Sequence, residues 1–169
     1  CKRRGAFDLH SIYQQNWLGI KSDAALRESI AVCERRGAFA VGGQETWRTH
    51  DEVVELAGYT FIGSAPAQQT CRRGSKGVSL TLSRRATAAW QRAGREQFAA
   101  CDGRLLAVRL LVRCGRRGRQ YGRQLGIFLI SGYAPHSGLP QAETDAYYEG
   151  FTRLLTHRQP GDVVVACVD

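Results

Sequence analysis

The chain lacks methionine altogether, has only four prolines, and places none of its six cysteines at the C-x-x-C spacing of a redox or zinc motif. The cysteines, at positions 1, 33, 71, 101, 114 and 167, also form no Cys/His cluster with zinc-ligand spacing, which excludes a zinc module read from sequence. Several of them lie inside apolar runs, as core residues do. No apolar run approaches the roughly 20 residues of a membrane-spanning helix, and no leader pattern is present. The expectation is therefore an intracellular protein, nuclear or cytoplasmic, with free thiols and no membrane partner. Internal repeats and low-complexity linkers are missing too, so residues 1–169 read as one domain. The lack of a methionine even at position 1, and the halt at Asp169 directly after the strand-like run at 162–168, lead us to expect a piece of a longer reading frame.

Acidic residues are scarce: 15 against 24 lysines and arginines, a formal charge of +9. Such an excess favours a polyanionic partner, nucleic acid first, though a merely soluble basic protein would show it as well. Much of the charge comes as arginine pairs, at 3–4, 35–36, 72–73, 84–85 and 116–117. The planar guanidinium fork matches phosphate better than a lysine point charge does.

In chain order, residues 7–13 alternate apolar and polar side chains as a half-buried strand, which is expected to break at Gln14-Gln15-Asn16. Ser22-Asp23 can cap a helix over 24–35, with Ala25, Leu26, Ile30 and Cys33 at helical spacing. Residues 38–41 form a short buried strand running into Gly42-Gly43. A short helix is expected over 51–57, followed by a strand at 58–63. Gly74-Ser75-Lys76-Gly77 makes a loop into the alternating strand 78–82; it resembles a phosphate cradle only loosely. Two apolar strands, 103–112 and 125–132, are joined by a loop rich in glycine and arginine, read either as a solvated tip or as a nucleic-acid contact. A rigid loop at 131–138 presents Tyr133 and His136. Next comes a helix over 141–156 with Tyr147, Tyr148, Phe151, Leu154 and Leu155 on its apolar side, and then a buried strand ending at Asp169.

Glu45 falls just past the end of the strand at 38–41, where α/β sheets place their chemistry. A carboxylate flanked by Gln44 and Thr46 can hold a hard divalent cation such as Mg²⁺, which takes one or two carboxylates and keeps its waters. The competing reading makes this segment a helix N-cap region, with Thr46 or Thr49 capping a helix that begins near Asp51.

Asn16, Gln44-Glu45-Thr46, Gly58-Tyr59, Lys76-Gly77-Val78, Tyr133-Ala134-Pro135, a helix with paired aromatics, and a Gly-Asp-x-Val-Val run ending in Asp169 occur in one order. Together they resemble the endonuclease/exonuclease/phosphatase superfamily of deoxyribonuclease-like and apurinic-site endonucleases, and most of all the endonuclease domain of non-LTR (LINE-type) retrotransposons. The resemblance implies an α/β two-sheet sandwich of four layers, incomplete at its C-terminus, so that the chain would be the N-terminal part of the domain. It implies Mg²⁺ (or Mn²⁺) bound at Glu45, an active-site role for Asn16, and a Tyr133 hydroxyl on the scissile phosphate. Asp169 would orient the attacking water. DNA would be the substrate, nicked at a target site, with a reverse-transcriptase domain in the same polypeptide as a possible partner.

Three departures accompany the resemblance: Leu18 stands where many members are polar or acidic, Val168 replaces the glycine before the aspartate, and Gln14-Gln15 interrupt the first strand. The family's later Asp-His pair would lie beyond residue 169, which implies that the chain alone is inactive. A phosphatase of the same fold acting on inositol phosphates, and a non-catalytic nucleic-acid-binding remnant, are the alternatives.

Charge alone generates one expectation. The chain should bind duplex DNA without sequence preference at a Kd on the order of 10⁻⁴ to 10⁻⁶ M at physiological salt, weakening steeply as salt rises. Replacing Arg116, Arg117 and Arg119 with alanine should flatten the log–log salt dependence by up to about one unit per lost phosphate contact. An unchanged slope would return that loop to the solvated-tip reading.

Overall fold

A computed structural model describes residues 11–67, 76–114 and 123–169 of the chain. Its elements run β1 (Ile12–Asn16), α1 (Asp23–Arg35), β2 (Ala40–Gln44), β3 (Glu52–Leu56), β4 (Tyr59–Ser64), β5 (Val78–Leu82), α2 (Arg84–Arg92), β6 (Gln97–Ala100), β7 (Leu105–Cys114), β8 (Arg123–Gly132), α3 (Gln141–Leu155) and β9 (Val163–Val168). The strands make two sheets, ordered β1-β2-β5-β4-β3 and β6-β7-β8-β9. The fold is thus the expected two-sheet α/β sandwich.

Three apolar layers hold it. Between the sheets lies a core that includes Ile62, Leu80 and Leu82 from one side and Val108, Leu110, Ile127 and Leu129 from the other, with Trp90 of α2 wedged in. Each such side chain, fully buried, contributes about 1.5–3 kcal/mol of transfer free energy. On the outer face of the first sheet, α1 packs Leu26, Ile30 and Cys33 over Val41, Tyr59 and Phe61. On the outer face of the second, α3 sets Tyr147 and Leu154 against Ala107, Phe128 and Ile130.

Two parallel pairs organise the sandwich, β1 with β2 and β8 with β9. Parallel neighbours need a crossover, and α1 and α3 supply one each. Ser22 starts α1 as expected, its side chain accepting a hydrogen bond from the Ala25 amide at 3.2 Å. In both pairs the carboxyl ends point to one rim of the sandwich, because Gln44 at the end of β2 reaches the Cys167 carbonyl of β9 at 3.1 Å.

Several expectations need correction. The strand expected to break at Gln14-Gln15 continues through Asn16, in register with Gln44; β1 is an edge strand, so Gln14 can turn to solvent while its backbone stays paired. The first part of that segment, residues 7–10, lies outside the described residues. The helix expected over 51–57 is instead the strand Glu52–Leu56, hairpinned to β4 across Ala57-Gly58. Both turn residues have positive φ, +52° and +83°, the geometry of a tight two-residue hairpin that the glycine makes accessible. Cap readings for Thr46 and Thr49 fall with that helix.

Tyr148, expected on the apolar side of its helix, is 61% exposed. The last strand, expected to be buried, is an edge strand among the described residues, with Val163, Val164 and Val168 exposed at 46%, 39% and 37%. Its apolar run reflected edge position as easily as burial. Helix α2, not among the expected elements, begins at a Ser83 N-cap whose side chain accepts from the Ala86 amide.

Close approach of the sheets rests on glycine. A Cβ at Gly42 would sit 2.5 Å from the Cys167 Cβ, and one at Gly43 would sit 2.0 Å from the Trp17 indole nitrogen. Gly42→Ala should therefore cost about 1–3 kcal/mol as an overpacking change, read by denaturant titration. Stability within a few tenths of the parent would show that the sheets can part locally.

Candidate active site

Backbone pairing does not stop where β1 and β2 end. The Trp17 amide donates to the Gln44 carbonyl at 3.0 Å, Gly19 to Glu45 at 2.9 Å and Ile20 to Thr46 at 2.7 Å. From the other side, Thr46 and Trp47 amides donate to the Gly77 and Lys76 carbonyls at 3.1 and 3.2 Å. Glu45 is thus clamped on both flanks, in a left-handed conformation with φ +53°. Non-glycine residues rarely adopt it, and its cost is carried by the surrounding pairing.

The Glu45 side chain meets Asn16, whose Nδ2 donates to Glu45 Oε1 at 2.8 Å. Asn16 Oδ1 in turn accepts the Leu18 amide at 3.1 Å, so the carboxamide is held at both ends. Tyr133 approaches from the second sheet, near enough for the Glu45 carboxylate to act on its phenol. Burial first, then the neighbouring Glu45 carboxylate, push its phenol pKa up; Arg104 opposes them and the charge of Asp169 adds a smaller push. Tyr133 is therefore a protonated donor at neutral pH. Asp169 is tied to the same turn: its amide donates to the Gly132 carbonyl at 3.1 Å, and its carbonyl accepts from Ala134 at 2.8 Å.

The structure accordingly brings Asn16, Glu45, Tyr133 and Asp169 to one rim. It does not describe Arg116, Arg117 and Arg119, which lie outside the described residues, as do Gly74 and Ser75. His136 accepts the Gly138 amide at 3.1 Å and closes its own turn.

Two contributors escaped sequence reading. Gln44, noted only as a neighbour of Glu45, is fully buried and bridges the sheets through the Cys167 carbonyl at 3.1 Å and Ser131 Oγ at 3.4 Å. Ser131 Oγ donates onward to the Gly43 carbonyl at 3.2 Å. Arg104 is 8% exposed, lies with its guanidinium 5.6 Å from the Tyr133 ring centre, and pairs with Glu143 at 3.4 Å. Its signal, an arginine at the mouth of an apolar strand, is indistinguishable in sequence from an exposed one.

Among the described residues no group of three or more His, Cys, Asp or Glu side chains is placed to hold a metal ion. A cation held wholly by protein ligands does not fit this rim. A single oriented carboxylate, with oxygens of water and substrate completing the shell, suits Mg²⁺, which binds through one or two carboxylates. On that donor chemistry Glu45 fits.

No protein-family description and no curated protein matches this sequence. Solved structures do match its shape. An AP endonuclease, LMAP from Leishmania major, superposes with a TM-score of 0.55 at 14% identity, over 94% of this chain and 53% of that one. The catalytic domain of human Nocturnin, with a bound sulfate anion, gives a TM-score of 0.49 at 13% identity, over 92% of this chain and 62% of that one. The chain thus spans about half the length of the AP endonuclease it matches. At such identity the likeness to the endonuclease shows the fold alone, a two-sheet α/β sandwich.

The contact between Tyr133 and Glu45 has a direct readout. In Glu45→Gln the Tyr133 phenol should titrate at lower pH than in the parent, though still above an exposed tyrosine because burial remains. Phenolate absorbance, differenced against Tyr133→Phe to isolate one tyrosine among six, measures it; an unmoved titration would separate the two residues.

Proposed function

We propose that this chain forms the metal-binding rim of a DNA-nicking endonuclease, of the kind carried by LINE-type retrotransposons. The observation that supports the reading best is the Asn16–Glu45 hydrogen bond, with Tyr133 and Asp169 of the second sheet close enough for Glu45 and Asp169 both to act on the phenol. Phosphodiester hydrolysis needs charge compensation at the phosphoryl oxygens, a donor to the oxygen that gains charge, and an aligned water.

In this reading Glu45 holds Mg²⁺ or Mn²⁺, and the bound ion supplies positive charge to the phosphate. Asn16 fixes the rotamer of Glu45 through its Nδ2. Tyr133, held protonated, donates its hydroxyl hydrogen to a nonbridging phosphoryl oxygen. Asp169 accepts a hydrogen bond from the water that attacks phosphorus as the P–O bond to the leaving oxygen breaks. The excess of arginine supplies contacts to the DNA backbone, Arg116, Arg117 and Arg119 among them. A reverse-transcriptase domain in the same polypeptide is the partner this reading implies.

The test is nicking of supercoiled plasmid by the protein that carries this chain. Activity should require Mg²⁺ and vanish with chelator. Glu45→Gln, Asn16→Ala and Tyr133→Phe should each lower the rate by about 10²–10³-fold, the scale of losing one preorganised electrostatic contact. Hydrolysis of inositol phosphates with DNA left intact would replace this reading by the phosphatase one. DNA binding without any hydrolysis would replace it by a non-catalytic binding module.

A further inference from the structure

Among the described large apolar residues, Leu18 is the most exposed, at 65%. It stands inside the hydrogen-bond net of the candidate site, its amide bound to Asn16 Oδ1 at 3.1 Å. Its backbone is left-handed, φ +52°, a conformation that costs a leucine more than it would glycine or asparagine. Leu18 thus offers, beside the candidate site, apolar surface that the core does not use.

Its neighbours in the turn pack against the fold. Trp17 lies against Gly43 so closely that a Cβ there would collide with its indole. Ile20 is 1% exposed. Gly19, φ +110°, packs on the Trp47 ring, where a Cβ would come within 2.5 Å. The turn 17–20 is backed by two indoles and paired to residues 44–46, and Leu18 is its exposed side chain.

We propose that Leu18 is a substrate-contacting specificity residue, an apolar wedge against the sugar and base edge flanking the phosphate held at Glu45 and Tyr133. The inference rests on the endonuclease reading above. Apolar side chains packed against sugars and base edges contribute by displacing water, which also offsets any unstacking they cause, and they release no counterions. That distinguishes Leu18 from the arginines. A polar side chain there would leave the electrostatic part of binding intact and remove the rest.

The experiment is a salt series of titrations of a short labelled DNA duplex with the full chain, with calcium in place of magnesium as the oxygen-seeking divalent ion. Leu18→Asn suits the left-handed backbone, so thermal stability should hold or rise. Affinity should fall about fivefold at every salt concentration, with the salt slope unchanged, on the scale of partly burying one leucine. Leu18→Met, still apolar, should stay within about twofold of the parent. Parent-like affinity in Leu18→Asn overturns the proposal, as does an equal loss in both variants, which would assign the effect to the turn's backbone. Failure of the unsubstituted chain to bind duplex DNA at any salt would overturn the endonuclease reading itself.

Discussion

The close approach of the two sheets at Gly42-Gly43-Gln44 is the constraint on which the rest depends. Glycine at both positions lets β2 come within contact of Cys167 on one face and Trp17 on the other. Into the resulting gap Gln44 extends a fully buried carboxamide to β9 and to Ser131, and Ser131 returns a hydrogen bond to β2. Apolar packing would hold the sheets together at many relative positions. Directional bonds between buried polar groups permit one, because any slip leaves them unsatisfied at a cost of about 1–3 kcal/mol each.

That registration is what brings the candidate site residues together. Glu45 belongs to the first sheet, Tyr133 and Asp169 to the second, and neither sheet alone assembles the set. The strain at Glu45 and Trp47, φ +53° and +55°, is tolerated because their neighbours' amides are paired on two sides. Positive φ bends the chain so that the Glu45 side chain turns toward Asn16 and Tyr133 rather than continuing the alternation of β2. Arg104, buried beneath Tyr133 and tied to Glu143 of α3, places a cation near a cluster that otherwise carries two carboxylates. Its opposing effect on the phenol tempers what burial and the carboxylates do.

Much of the architecture was legible in the residues. Period-two alternation marked β5, long apolar runs marked β7 and β8, and Ser22 marked the start of α1. Local pattern failed where two states share one signature. Residues 52–56 carry acidic and β-branched side chains that a short amphipathic helix could also bear; pairing with β4 decided for strand. The run at 163–168 has the apolar composition of a strand covered on both faces, yet among the described residues β9 has a neighbour on one side only.

By itself the sequence determined the element types with strong periodicity, the basic charge, and the order of Asn16, Glu45, Tyr133 and Asp169 along the chain. Those are properties of near neighbours and of composition, and no fold is needed to read them. Only the tertiary structure decided that Asn16 bonds Glu45 across 29 positions, that Gln44 joins residues 87 and 123 positions away, and that Arg104 is buried while Leu18 projects. Such contacts depend on how two sheets register, and register is set by the sum of packing and buried hydrogen bonds over the whole core, which no local window contains.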